Sequence, residues 1–229
     1  VLTKLDQQRQ EMEKEQRQAA QLRREMEQAA AKAQEYRDAL AKEKEKAEAA
    51  AKAEARAILE AACAAPTAGN QQLYTILDIT DQAVKDTLAD TCDHQPFIAQ
   101  APLVLLFCAD CQKWYDAFAA GGCSPRRPGP GDLWLALSDA NIAAQNAVTA
   151  AWSLGIGSCY IGDILEQVET HRTLLRLPEY VVPAALLVFG YPTQQQQERE
   201  KPRRRALEHI VHENAYRRME PAELEAMLA

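Results

Sequence analysis

Hydrophobic and polar positions follow two different rules along the chain, and the change comes near residue 60. From Thr3 to Ala65 every residue is tolerable in a helix, and neither Gly nor Pro occurs before Pro66. One heptad position stays apolar through Leu5, Met12, Ala19, Met26, Ala33, Leu40 and Ala47. The position three residues later reads Gln8, Glu15, Leu22, Ala29, Tyr36, Glu43 and Ala50, apolar only in the middle. A lasting coiled coil keeps both positions apolar. The spacing therefore predicts a long helical arm over 1–54 with a weak coiled-coil seam for a helical partner. No Ser, Thr, Asp or Asn stands between Lys42 and Ala65 to start a new helix. The arm should run unbroken into a first core helix carrying the stripe Ile58, Leu59, Ala62 and Ala65.

Beyond Pro66 and Gly69 the pattern breaks into short elements. Leu73–Ile79 reads as a strand, Gln82–Ala89 as a short helix, and Pro102–Ala109 as a buried strand. Gln112–Ala120 is predicted helical, and Cys123–Gly131, with three Pro and two Gly, a loop. Asp132–Leu154 is apolar on nearly all sides and stops at Gly155, which suits the core or a subunit interface. Ser158–Ile161 and Ala184–Phe189 read as strands around an amphipathic helix, Asp163–Arg176. Strands separated by helices and long excursions exclude a sandwich or bundle and leave an α/β or α+β class.

Composition sharpens the division. Residues 1–60 hold 13 Lys+Arg against 13 Asp+Glu, so the whole net charge of −7 falls on 61–229, with all 9 Gly, 11 Pro and 6 Cys. An acidic chain with no dominant basic stripe is a poor fit to nucleic acid or an anionic membrane, so neither is an expected partner. No run approaches the ~18 apolar residues of a membrane span. The start lacks a basic-then-apolar leader, and sparse Cys without a dense framework reads as reduced thiols. Together these point to a cytoplasmic protein.

Three ordered segments carry a resemblance. Ala-Pro-Thr-Ala-Gly-Asn-Gln-Gln (65–72) closes the first core helix, and Gly-Ile-Gly-Ser-Cys-Tyr-Ile-Gly-Asp (155–163) follows the long apolar helix. Phe-Gly-Tyr-Pro-Thr (189–193) leads to Lys-Pro-Arg-Arg-Arg (201–205). In this order they resemble the nitroreductase family of FMN-dependent NAD(P)H oxidoreductases, over roughly 56–219. The resemblance implies an α+β fold over 55–229 and a homodimer built on the 132–154 helix. FMN would lie at the dimer interface, with NAD(P)H as co-substrate and a nitro, quinone or similar acceptor served by a ping-pong cycle.

The resemblance also assigns residues. Pro66, Thr67, Asn70 and Gln72 would meet the flavin, the two carboxamides matching the alternating acceptors and donors of its pyrimidine edge. Gly157, Ser158, Tyr160, Ile161 and Gly162 would bring backbone N–H groups close to the ring. Lys201, Arg203 and Arg205 would hold the phosphate. No side chain is assigned a catalytic role, because the hydride chemistry belongs to the flavin.

One departure stands out. The family's N-terminal Arg-Arg-Ser-x-Arg type segment is replaced by the Ala/Glu/Lys helix, and Arg23-Arg24 is followed by Glu-Met-Glu. Losing two charge-assisted hydrogen bonds would weaken FMN by about 10²- to 10⁴-fold. This opens a competing expectation: a flavin-weak or flavin-free dimeric scaffold, resembling an engineered helix fusion, that holds a rigid arm. Cys108-x-x-Cys111 flanked by Cys92 and Cys123, and the pair His209 and His212, have irregular spacing and no completing ligand, so no metal is expected.

Overall fold

The computed structural model describes residues 2–228, with side chains from residue 12 onward and that of Arg9. The chain divides into two compact units, 1–190 and 191–229. Helix α1 is a single uninterrupted helix, Leu2–Cys63, as its lack of breakers requires. From residue 12 to 53 every position is exposed, and burial begins only where the core stripe begins, at Ile58, Ala62 and Ala65. Met12, Leu22, Met26, Tyr36 and Leu40 of the heptad seam are exposed within this chain. Leu5 and Gln8 lie outside the described side chains.

The first unit is built on a four-stranded antiparallel sheet: β1 (Tyr74–Asp78), β2 (Leu103–Asp110), β3 (Gly157–Ile161) and β4 (Val181–Gly190), in the order β1-β2-β4-β3. Antiparallel pairing throughout decides for α+β over α/β. Alternate residues of β2 face opposite cores, as strand geometry requires. Leu105, Phe107 and Ala109 pack with α1 and with α5 (Pro130–Ser153), while Val104, Leu106 and Cys108 pack on the other side. That other layer holds α2 (Gln82–Thr91), α3 (Pro96–Gln100) and α6 (Val168–Leu174). Helix α4 (Gln112–Ala120) follows β2 directly. Asn146 of α5 donates to the Ala61 carbonyl at 2.6 Å, which ties the two helices of one face together.

Three differences from the sequence reading have clear causes. The helix expected from Asp132 starts two residues earlier, at Pro130, shortening the predicted loop. Proline is preset for the first helical turn, and the Asp132 carboxylate reaches back to the Gly129 N–H at 2.8 Å. The single helix expected over Asp163–Arg176 is instead a 3-10 turn, Gly162–Leu165, followed by α6. The fully buried His171 explains the break. Its Nδ1–H donates to the Ile164 carbonyl at 2.8 Å, an acceptor that a continuous α-helix would have given to its own backbone. Third, α3 escaped the pattern because five residues show no helical period.

The second unit, 191–229, holds α7 (Gln194–Glu198), a 3-10 turn at Leu207–His209 and α8 (Pro221–Leu228), with irregular backbone between them. Arg217 grips Glu223 with both carboxylate oxygens at 2.7–2.8 Å, and Glu223 also accepts the Glu220 N–H at 2.8 Å. That carboxylate anchors the start of α8. Among the described residues no helix is long and apolar enough to cross a membrane.

Candidate functional site

The loop between α1 and β1 is the most constrained backbone in the first unit. Gly69, Asn70 and Gln72 all have positive φ, at 57°, 56° and 51°. For residues with a Cβ this left-handed region costs roughly 1–2 kcal/mol each, so something must hold the loop. The Asp139 carboxylate, 2% exposed on α5, accepts the N–H of Ala68 and of Leu73, each at 3.2 Å. One side chain thus clamps both ends of the turn. Thr67 Oγ1 accepts the Gln72 N–H at 3.2 Å, the Trp114 indole donates to the Gln71 carbonyl at 2.6 Å, and Lys113 donates to the Tyr74 carbonyl at 2.8 Å. With the backbone spent on these bonds, the Asn70 and Gln72 carboxamides stand exposed and bond to nothing else among the described residues. Pro66 is exposed and Thr67 half-buried on the same loop.

The second group of expected residues lies at the opposite edge of the sheet. Strand β3 pairs only with β4, and the turn Gly162–Leu165 follows it. Gly157 is half-buried, Ser158, Tyr160 and Gly162 are exposed, and Ile161 is buried. Asp163 at the turn accepts from Gln95 at 2.7 Å, and His171 holds Ile164, so α2, α3 and α6 brace this corner. Strands sit about 4.8 Å apart, so three intervals separate β1 from β3 by roughly 14 Å. One chain does not bring the Asn70/Gln72 loop and the β3 backbone side by side.

Lys201, Arg203 and Arg205 fall in the second unit. Arg203 and Arg205 line a small cavity of about 250 Å³ with Arg204, His209 and Met227, and Arg205 donates to the Met227 carbonyl. Sequence reasoning omitted Arg204, which faces the same cavity. It assigned no role to Asp139, although a carboxylate in the middle of a largely apolar helix was a visible signal.

The cysteines do not form a cluster. Cys92 and Cys108 sit in one core, Cys111 in the core on the other face, and Cys123 is exposed. No group of three or more potential ligands meets among the described residues. Burial, reinforced by nearby carboxylates, pushes Cys92 up to about 11 and Cys108 up to about 12 from an ordinary 9.0.

Two outcomes follow. Asp139→Asn keeps one acceptor oxygen for two clamped N–H groups. It should destabilise the fold by roughly 1–3 kcal/mol in urea denaturation and speed amide exchange at Ala68 or Leu73. Unchanged exchange at both would remove the clamp. At pH 8 a thiol reagent should label Cys63, Cys123 and Cys159, which are exposed, and spare the three buried cysteines until unfolding. Because the buried thiols' folded values are raised, their contribution to stability is complete below pH 9 and is lost as pH rises toward 11–12. A stability curve flat from pH 8.5 to 11 would contradict this.

Comparison with known proteins bears on the same segments. An oxygen-insensitive NADPH nitroreductase of Salmonella typhimurium is 36% identical over 161 residues, covering 70% of this chain and 64% of that protein. An FMN reductase [NAD(P)H] of Bacillus subtilis is 32% identical over 154 residues, covering 66% and 62%. The chain thus spans less than two thirds of the length of these curated relatives. The solved structure of B. megaterium NfrA2 superposes with a TM-score of 0.70 at 30% identity, covering 76% of this chain and 70% of that one. The NADPH:FMN oxidoreductase from Vibrio harveyi complexed with NAD+ gives a TM-score of 0.69 at 26% identity, covering 76% and 73%. Residues 46–191, from the end of the arm to the last residue of the Phe-Gly-Tyr run, match the Nitroreductase family, and the chain belongs to it.

Proposed function

We propose that this chain is an FMN-dependent oxidoreductase that passes electrons from NAD(P)H to a nitro, quinone or similar small acceptor. The observation that carries this reading is the clamped loop. Two strained residues, Asn70 and Gln72, are held by a buried carboxylate with their carboxamides left unspent. Strain of this kind persists where a site needs it, and a carboxamide pair suits the donor and acceptor edge of a flavin. When bound, FMN supplies the hydride chemistry, reduced by NAD(P)H and reoxidised by the acceptor in a ping-pong cycle. The chain's own residues bind and orient: Gly157–Gly162 offer close backbone approach, and Lys201, Arg203 and Arg205 offer charge for a phosphate. The names of the Salmonella, Bacillus and Vibrio relatives favour the same chemistry.

The two halves of this site lie at opposite edges of one sheet, so the reading requires two chains. The Asn70/Gln72 loop of one protomer would face β3 of the other. Helix α5 is the expected seam, because Trp134 and Trp152 on it are 73% and 72% exposed. Leu133, Leu135 and Ile142 of the same helix are exposed as well, and several large apolar side chains exposed together mark an interaction surface.

A second reading rests on the uncovered stretch of α1 from 12 to 53. A fold kept as a dimeric scaffold for that arm, with FMN weak or lost, needs no site at all.

The absorbance spectrum of the purified chain separates them. A yellow protein with a flavin band, lost in the Lys201→Ala/Arg203→Ala double variant, supports the enzyme. A colourless chain that takes up no added FMN supports the scaffold. For the dimer, residues 55–229 should sediment at twice their chain mass, and a folded monomer would count against α5 as the seam.

A further inference from the structure

Beside the clamped loop lies an open cavity of about 320 Å³ that contains none of the residues assigned to the flavin. It is bounded by α4, by the segment joining α4 to α5, and by the first turns of α5. Gln71 and Leu73 line it, alternating with the Asn70 and Gln72 positions of the flavin reading. Its wall is aromatic. The rings of Trp114 and Phe118 stand 5.7 Å apart, tilted by 36°, with Tyr115 and Leu135 beside them. Such a wall favours a flat ring, and the volume falls within the range of small-molecule sites.

The polar end of the cavity is Arg126. Its Nη1 and Nη2 donate to the two oxygens of Asp132 at 2.6 and 2.8 Å, and Nη1 also reaches the Arg127 carbonyl at 3.3 Å. Asp132 in turn accepts the Gly129 N–H, and Arg126 holds its carboxyl below the ordinary range. The carboxylate is thus fully used in fixing the guanidinium. This end-on pairing leaves the Nε–Nη2 edge, a second planar fork that matches a carboxylate.

We infer that the cavity binds a small planar aromatic carboxylate, its ring against Trp114 and Phe118 and its oxygens on the remaining edge of Arg126. The same site reaches the flavin loop. The indole that meets the ring donates to the Gln71 carbonyl at 2.6 Å, and Lys113 next to it donates to Tyr74. Occupancy fixes the indole, and the indole fixes the loop. Binding stands independently of the flavin reading; only this coupling rests on it.

The test uses 2-naphthoate as probe, followed by its own fluorescence on the full chain without added FMN. Saturable one-site binding is expected. Arg126→Gln and Phe118→Ser should each weaken it about tenfold or more, and 2-naphthalenemethanol should bind as poorly as naphthoate binds Arg126→Gln. Phe118 is 46% exposed, so its variant should fold, which circular dichroism checks. Absence of saturation, or binding indifferent to both variants, overturns the site. Naphthoate should also shift FMN affinity in the parent but not in Trp114→Phe, which keeps a ring and loses the N–H. Naphthoate binding with an unshifted FMN affinity overturns the coupling. Naphthoate binding to a chain that never takes up FMN sinks the flavin reading and upholds the site.

Discussion

The Asp139 carboxylate is the constraint on which the loop before β1 and the proposed site depend. It sits within an apolar helix, almost fully buried, and its partners are backbone N–H groups on a separate loop. Burying a charge without such partners costs several kcal/mol, so the loop stabilises the carboxylate as much as the carboxylate stabilises the loop. That mutual dependence lets Asn70 and Gln72 occupy a region of backbone space that residues with a Cβ avoid. It also fixes the loop to α5 rather than to the strand that follows, so a change in the environment of α5 reaches the loop through a rigid bond.

Strand order has a second consequence. A four-stranded antiparallel sheet with β1 and β3 at its edges places the ends of the two motifs as far apart as the sheet allows. Neither motif alone surrounds a ligand, because each occupies an exposed rim. The helices on the two faces brace the rims separately: α5 and α4 hold the loop, while α2, α3 and α6 hold the turn after β3. Each rim is therefore braced without the other, which suits the proposed division of the site between two chains.

The long helix and the buried strands were legible in the spacing of apolar residues and the absence of breakers, whereas that spacing left α/β and α+β both open and only the resemblance implied α+β. Leu105, Phe107 and Ala109 against Val104, Leu106 and Cys108 follow the strand period, and α1 contains no breaker. Other features are not periodic. The break before α6 depends on His171 capturing the Ile164 carbonyl, a contact between side chain and backbone that hydrophobic spacing does not encode. The strain at Asn70 and Gln72 is equally silent, since Asn is common in turns of every kind and Gln signals none. Asp139 was legible as an anomaly but not as a clamp, because its partners lie 66 and 71 positions away in sequence. The separation of the two motifs depends on strand order, which no local pattern states.

Helix α5 distributes its apolar residues in the reverse of the usual sense. Its fully buried positions are all small: Ala136, Ala140, Ala143, Ala144, Ala147 and Ala151. Of its large ones, Trp134, Ile142 and Trp152 are exposed, while Leu137 and Val148 are half-buried against the core. The alanine face has a local purpose, since it lets α1 and the sheet approach to the short end of helix packing distances, about 8 Å, and lets Asn146 reach the Ala61 carbonyl. The outward face leaves Trp134 73% and Trp152 72% exposed. Leaving a large side chain in water forgoes roughly 1.5–3 kcal/mol that burial would contribute. A helix that is buried mainly through alanines on one side and keeps large apolar side chains exposed on the other suits a cover on both sides. One cover is present as α1 and the sheet; the exposed side is where the proposed second protomer would pack.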